Sequence, residues 1–378
     1  MVFRVQFGFN ILVKILRNIA LAPLTTFNIG GNAKFFVEVG SADELKETVE
    51  FAKENKLPIF VLGGGSNILI SDEGFDGLVI KINIRGLWIT DTSSRLSTDV
   101  VVNAGAGEMW DDIVARAVEL NASGIENLSL IPGTVGGAVY QNIGAYGTEI
   151  KDVLVSVTAY DISTDNIVRL SNKKCEFEYR SSVFKKNKKL IILEAELLLP
   201  KNKKPNLSYP DLQRRFEKQS PTLNEVRQAV IDIRLSKLPY PLNIIPQILK
   251  HDGHHPIANA GSFFKNPTVK ISNYDRVPWP AKARPGDHSE KFLISKHPDL
   301  KGRNVGNGLI KLSAAQLIEK AGWKGKIAGN VGVSDKHALV LVNYGGGTAK
   351  ELMGLAFAIT EDVKRTFGVV LDAEVEII

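Results

Sequence analysis

The chain has 378 residues, 44% of them hydrophobic and 23% charged, and a formal net charge of +6. That length supports two or three domains with substantial cores. No apolar run is long enough to cross a bilayer, and Cys175, the only cysteine, excludes an internal disulfide and fits a reducing compartment.

Residues 1–20 are basic and apolar, and Ile11, Ile15 and Ile19 recur at helical spacing. A helix packed on the first domain is the expectation. A presequence or membrane-surface helix stays open, although Lys14 and Arg17 interrupt the apolar run and argue against a secretory signal. Lys34–Val39 reads as a strand, Ser41 to Glu44 as a capping box opening a helix to about Asn55, and strands follow near 58–63 and 77–83. Val100–Ala104 is a further strand. Met109 to about Asn121 is a helix with Trp110, Val114 and Val118 on one face. Strands are expected at 152–160 and 190–199, and Thr222 to Glu225 caps a helix carrying Arg234 and Lys237. Prolines 239, 241 and 246 mark a boundary, and 279–303 reads as a surface insertion. Ser313 and Thr348 each open a helix, ending at Gly322 and Gly368, and Ala338–Val342 is a buried strand. The last ten residues alternate, with Val369, Leu371, Ala373, Val375 and Ile377 on one face and Asp372, Glu374 and Glu376 on the other.

Two glycine-rich stretches interrupt this pattern. Ile131 to Gly147 holds glycines and a proline but no charge until Glu149, unlike an ordinary surface loop. Phe60 to Asp72 sets Gly63, Gly64, Gly65, Ser66 and Asn67 directly after a buried strand. Glycine lets another molecule lie against the main chain, where N–H groups converge on phosphate oxygens. Neither stretch is a Walker loop or a G-x-G-x-x-G fingerprint. Two separate turns suggest a pyrophosphate gripped from two sides; a tightly packed crossing of small residues is the structural alternative.

Other features carry less chemistry. Nine lysines between Lys173 and Lys204 either steer polyanionic small molecules or form a solvated face. No nucleic-acid-binding motif accompanies them, so no nucleic-acid partner is expected. His251, His254 and His255 match no zinc spacing, and no metal is expected. Cys175 reads as a small buried hydrophobe. Asn259 to Pro267 places Ser262 beside two aromatics, with Lys265 and Asn266 behind, but no nucleophile elbow surrounds it.

Seven ordered motifs together resemble the UDP-N-acetylenolpyruvoylglucosamine reductases of peptidoglycan precursor synthesis. They are Thr26-Phe-x-Ile-Gly30, Leu62 to Asn67, Ile131 to Gly137, Gln141 to Gly147, Tyr179-Arg180, Asn259 to Pro267 and Leu371 to Val375. The match covers about residues 22–378, and the Tyr146 loop with Tyr209 is similar to the longer of the family's two types.

The resemblance implies an α+β fold: a two-part FAD-binding unit of the vanillyl-alcohol-oxidase (PCMH) type plus a C-terminal α/β substrate domain. Its boundaries would be an N-terminal extension at 1–21, FAD subdomains at 22–80 and 81–238, and a substrate domain at 239–378 whose last strand, 369–378, returns to the active site. FAD would be held by Gly63, Gly64, Gly65, Ser66 and Asn67, by Ile131, Pro132, Gly133, Val135, Gly136 and Gly137, and by Asn142, Gly144, Tyr179 and Arg234. Tyr146, Tyr209, Lys237, Lys265 and Asn266 would bind the UDP-sugar. Arg180, Ser262 and Glu374 match the catalytic trio. The implied reaction is NADPH-dependent reduction of UDP-N-acetylglucosamine enolpyruvate to UDP-N-acetylmuramate, in the cytoplasm and without stable membrane association. Hydride passes from flavin N5 to the enolpyruvyl methylene, Arg180 and a protonated Glu374 stabilise the enediolate, and Ser262 supplies the proton, helped by Lys265 or water. Another FAD oxidase or dehydrogenase of this fold, or a non-catalytic nucleotide-sugar binder, are the alternatives. Two stretches depart from the family pattern: the histidine-bearing 242–257 and the 279–303 insertion.

Overall fold

A computed structural model describes residues 3–6, 12–91, 99–201, 203–239, 257–270, 300 and 302–378. Contacts divide the chain into two compact units that do not follow chain order. Unit 1 comprises residues 1–24, 32–65 and 74–236; unit 2 comprises 25–31, 66–73 and 237–378.

Unit 1 begins with β1 (Phe3–Gln6), β2 (Leu12–Ala20), β3 (Asn32–Val39), helix α1 (Ala42–Glu54) and β4 (Ile59–Leu62). The chain then supplies β5 (Ile68–Leu69) to unit 2 and returns for β6 (Phe75–Ile82). The sheet order is β1-β2-β3-β6-β4, with β3 and β4 both parallel to β6. Ser41 caps α1 by accepting the Glu44 N–H, and Leu45, Thr48, Val49 and Ala52 bury its inner face.

Where a helix is expected within residues 1–20, the described residues form β1 and β2 instead. Val13 and Ile15 are buried while Lys14 is exposed, a period of two that pairing with β1 and β3 rewards. β-branched isoleucines spaced by four fit either element, and the neighbouring strands decide.

The second sheet of unit 1 has the order β12-β11-β13-β8-β7, all antiparallel. Its members are β7 (Leu87–Asp91), β8 (Asp99–Gly105), β11 (Leu154–Asp161), β12 (Asn166–Ser171) and β13 (Leu190–Pro200). The edge strands β7 and β12 have no counterpart in the sequence reading. They are largely exposed, with only Ile89 of β7 and Val168 and Leu170 of β12 half-buried against the core. Helix α2 (Trp110–Glu119) buries Trp110, Ile113, Val114, Ala117 and Val118, and the Trp110 indole N–H donates to the Leu128 carbonyl at 3.0 Å.

The Ile131–Gly147 stretch is not one loop. Thr134 caps a short helix, α3 (Val135–Gln141), and a hairpin follows from β9 (Gly144–Ala145) and β10 (Thr148–Glu149). Ala138 and Val139 are buried, which gives the glycine-rich segment an inner face. Three further helices complete the unit: α4 (Val183–Lys186), α5 (Pro210–Arg215) and α6 (Leu223–Lys237), the last running into the boundary of unit 2. Cys175 is buried in the core, and burial pushes its thiol up to about 11.

Unit 2 holds a four-stranded sheet in the order β14-β20-β19-β18: β14 (Ala258–Ser262), β18 (Ile327–Ala328), β19 (Val331–Val333) and β20 (Val340–Asn343). A three-stranded sheet, β15-β17-β16, is made by β15 (Thr268–Lys270), β16 (Gly302–Gly306) and β17 (Leu309–Leu312). Residues 302 and 303, the end of the expected insertion, thus lie in a strand; most of that stretch, and all of 242–256 with its histidines, lie outside the described residues. Helices α7 (Ala314–Lys320) and α8 (Ala349–Phe367) pack their apolar faces in a common core with Phe27, Phe263 and Phe264. The last ten residues form a shorter strand than the sequence suggests. Only β21 (Glu376–Ile377) pairs, parallel to β5, while Ala373 makes a single bridge with Phe264. Alternation survives without a full ladder, since Val369, Leu371 and Val375 are buried.

Candidate active site

In unit 1 the two glycine turns meet backbone to backbone. A Cβ added to Gly64 would lie 2.6 Å from the Gly133 Cα, and one on Gly63 would reach Thr134 Oγ1 at 3.0 Å. No side chain fits at that crossing. Gly133 also takes a φ of +109°, which only glycine adopts without strain. Thr134 Oγ1 accepts the Gly137 N–H at 3.5 Å, and Val135 and Gly136 donate their N–H groups to the Glu108 and Ala106 carbonyls. The approach to the turn is fixed from outside. Leu130, at φ +59°, donates its N–H to Asp111 Oδ1 at 2.5 Å, and Arg227 grips both oxygens of that carboxylate at 2.8 and 2.9 Å.

Arg227 and Arg234 both stand on α6. The Nε of Arg234 is buried and has no partner among the described residues. A buried guanidinium donor left over and a crossing of bare main chain fit an anionic, flat ligand such as a dinucleotide.

Arg180 occupies a tight turn in which Glu178 and Ser181 exchange backbone hydrogen bonds. Its φ is +55°, uncommon for a residue with a long side chain. One guanidinium nitrogen donates to the Gly144 carbonyl at 2.8 Å, and the group lies 5.3 Å from the Tyr179 ring centroid. Asn142, in the left-handed C-cap of α3, donates to the Glu178 carbonyl and to Glu149, each at 2.9 Å. Asn142, Gly144, Tyr179 and Arg180 are therefore one connected structure. Tyr146 and Tyr209 also meet, with ring centroids 5.1 Å apart and planes at 80°.

In unit 2, Ser262 ends β14 and the following residues run antiparallel to the last segment of the chain. Glu374 donates its N–H to the Phe263 carbonyl at 2.7 Å, Phe264 bridges Ala373, and Lys265 donates its N–H to the Asp372 carbonyl at 2.9 Å. Asn67 draws in the same segment: its amide donates to the Glu374 carbonyl at 3.2 Å, and its own carbonyl accepts from the Glu376 N–H. Ser262, Lys265, Asn67 and Glu374 thus come from distant parts of the sequence to adjacent positions. Asn266 uses its Oδ1 to accept the Ala314 N–H at the start of α7, at 3.0 Å.

Three residues escaped the sequence reading. Thr134 lacks the acidic partner three residues on that marks a capping box. Asn127 is fully buried between Glu126 and Leu128, and nothing in the local sequence marks it. His337 is half-buried near Lys237 and Lys324; burial, then those two cations, hold its imidazole below the ordinary value, and its Nδ1 accepts the Leu339 N–H. Among the described residues no group of three or more His, Cys, Asp or Glu could hold a metal ion, and no helix is long and apolar enough to cross a membrane.

Family models match both parts of the chain. Residues 252–378 match the family model for the UDP-N-acetylenolpyruvoylglucosamine reductase C-terminal domain, and residues 33–171 match that for the FAD binding domain. The chain is similar to the UDP-N-acetylenolpyruvoylglucosamine reductase of Pseudomonas aeruginosa, 38% identical over 359 residues, covering 94% of this chain and 96% of that protein. The protein of the same name from Flavobacterium johnsoniae is 38% identical over 372 residues, covering 97% of this chain and 100% of that one. The crystal structure of the Thermus caldophilus enzyme superposes with a TM-score of 0.60 at 23% identity, covering 97% and 98% of the two chains, a likeness of fold.

Proposed function

This chain belongs to the UDP-N-acetylenolpyruvoylglucosamine reductase family of FAD oxidoreductases, and on that premise we propose that it reduces UDP-N-acetylglucosamine enolpyruvate to UDP-N-acetylmuramate with NADPH, in the cytoplasm. The observation that carries the reading is the pairing of the Ser262 segment with the Glu374 segment, whose Glu374 carbonyl also accepts from the Asn67 amide.

Gly63, Gly64, Gly65, Ser66, Asn67, the Ile131–Gly137 segment and Arg234 would hold FAD; the bare approach of Gly64 to Gly133 and the unpartnered Nε of Arg234 support that reading. FAD, when bound, would supply the hydride, with NADPH as the source of its electrons.

Reduction of the enol ether at its methylene leaves negative charge on the carbon beside the carboxylate, an enediolate-like species. Arg180 answers that charge with a permanent cation able to fork onto two oxygens. Its left-handed backbone and its bond to the Gly144 carbonyl fix the guanidinium before the charge develops, so little reorganisation is needed. A neutral Glu374 carboxyl would donate a second hydrogen bond, and Ser262 delivers a proton to the carbon that carries the charge. Lys237, Lys265 and the amide NH₂ of Asn266, whose oxygen is engaged by Ala314, bind the nucleotide-sugar with Tyr146 and Tyr209.

Ser262→Ala separates the roles. Flavin reduction by NADPH should survive, while reoxidation by the enolpyruvyl nucleotide-sugar falls by about 10²-fold or more, the usual contribution of a positioned acid. Equal loss in both half-reactions would remove Ser262 as the proton donor.

A further inference from the structure

Tyr146 sits where tyrosine is disfavoured. It and Gly147 form the two-residue turn of the β9–β10 hairpin, closed by the Ala145–Thr148 pair, and their φ values are +49° and +84°. Asn, Asp and Gly dominate such turns because both central residues need positive φ. A bulky aromatic there is a backbone outlier that surrounding structure must hold in place.

What holds it is Asn127. Its side chain is 0% exposed, and its amide donates two hydrogen bonds of 2.8 Å, one to the Tyr146 carbonyl and one to the Asn206 carbonyl. Both partners are acceptors only, so the NH₂ must face them. The Asn206 side chain closes the link by donating to the Gly147 carbonyl at 2.9 Å. Leu207 and Tyr146 pack on one small apolar cluster with Leu212, Val226, Ala229 and Val230. Asn127 therefore cross-links the two segments that carry the Tyr146–Tyr209 pair. It does so at a penalty: its Oδ1 is buried with no partner among the described residues. Burying such an oxygen is unfavourable, and leucine would fill the space without it.

We propose that Asn127 is a positioning residue that sets the Tyr146–Tyr209 pair and, through it, the affinity for the nucleotide half of the substrate. This rests on the reading of the two tyrosines as nucleotide-sugar ligands. The arrangement fits an edge-to-face aromatic slot whose width depends on two backbone carbonyls held by one amide.

The holoenzyme tests this with Asn127→Leu, with Asn127→Ser as a smaller change and Asn206→Ala as the half-buried side of the same cross-link. Amide exchange is measured across 144–149 and 203–209, alongside KM for the enolpyruvyl nucleotide-sugar and for NADPH. The expected result is faster exchange in both segments, a KM for the nucleotide-sugar raised about tenfold, and a much smaller change in kcat. Unchanged exchange overturns the proposal, and so does faster exchange with an unmoved KM while Tyr209→Ala raises it. If Tyr209→Ala itself leaves that KM unmoved, the reading of the tyrosines fails instead, and faster exchange in the Asn127 variants still identifies the anchor.

Discussion

The glycine crossing and the tyrosine turn solve opposite problems within unit 1. At Gly64 and Gly133 the requirement is the absence of side chains, so that main chain approaches main chain and a ligand can lie along it. At Tyr146 the requirement is the presence of a large side chain on a backbone that disfavours it, enforced by a buried amide from elsewhere in the sequence. The first needs only glycine in the right places. The second needs a partner that no local pattern names.

One substitution applied to both regions breaks the comparison apart. Gly64→Ala drives a methyl into the Gly133 backbone, and such overpacking typically costs about 1–3 kcal/mol. The purified protein should lose most of its bound flavin, visible as lost absorbance near 450 nm, a wavelength typical of oxidised flavins in general. Gly147→Ala adds a methyl 2.9 Å from Ser208 Oγ at a φ of +84°. It should keep its flavin yet raise KM for the nucleotide-sugar several-fold. Flavin loss in both variants, or in neither, would end the distinction.

A smaller effect concerns the ion pair behind the crossing. Arg227→Met removes both bonds to Asp111 while leaving the carboxylate on the Leu130 N–H. With the two side chains 15% and 30% exposed, solvent softens the loss, and we expect about 1–2 kcal/mol by denaturant unfolding. An unchanged midpoint would show that Leu130 is held without it.

The smallest is a pH effect in unit 2. Burial lowers the folded-state pKa of His337 below its ordinary 6.5, so the unfolded chain takes up the proton first as pH falls. Stability at this site is full above that ordinary value and declines as pH drops through it toward the depressed folded pKa. His337→Gln should flatten that part of the stability curve. A curve of the same shape in the variant would exclude the histidine as the cause.

Much of this architecture was legible in the residues. Ser41, Thr222, Ser313 and Thr348 announced their helices because a cap is local chemistry: each accepts an N–H three residues on. The glycine turns were visible because apolar, uncharged glycine runs are rare on a surface. The segment Leu12–Ala20 misled because isoleucine spacing fits two elements and only its strand neighbours choose. β7 and β12 are hard to read because they are short and mostly exposed, with one and two half-buried apolar side chains respectively. The pairing of Phe263 with Glu374 spans more than a hundred residues, so only a resemblance to relatives could suggest it. Asn127 was invisible because its task is defined by carbonyls at Tyr146 and Asn206, and backbone oxygens leave no mark in a sequence.

The proposed catalysis requires a flavin reduced by one molecule and reoxidised by another. In an anaerobic single-turnover experiment the protein's flavin should bleach on NADPH and regain its colour only when the enolpyruvyl nucleotide-sugar is added. Flavin that stays bleached in the presence of that compound would contradict the assignment.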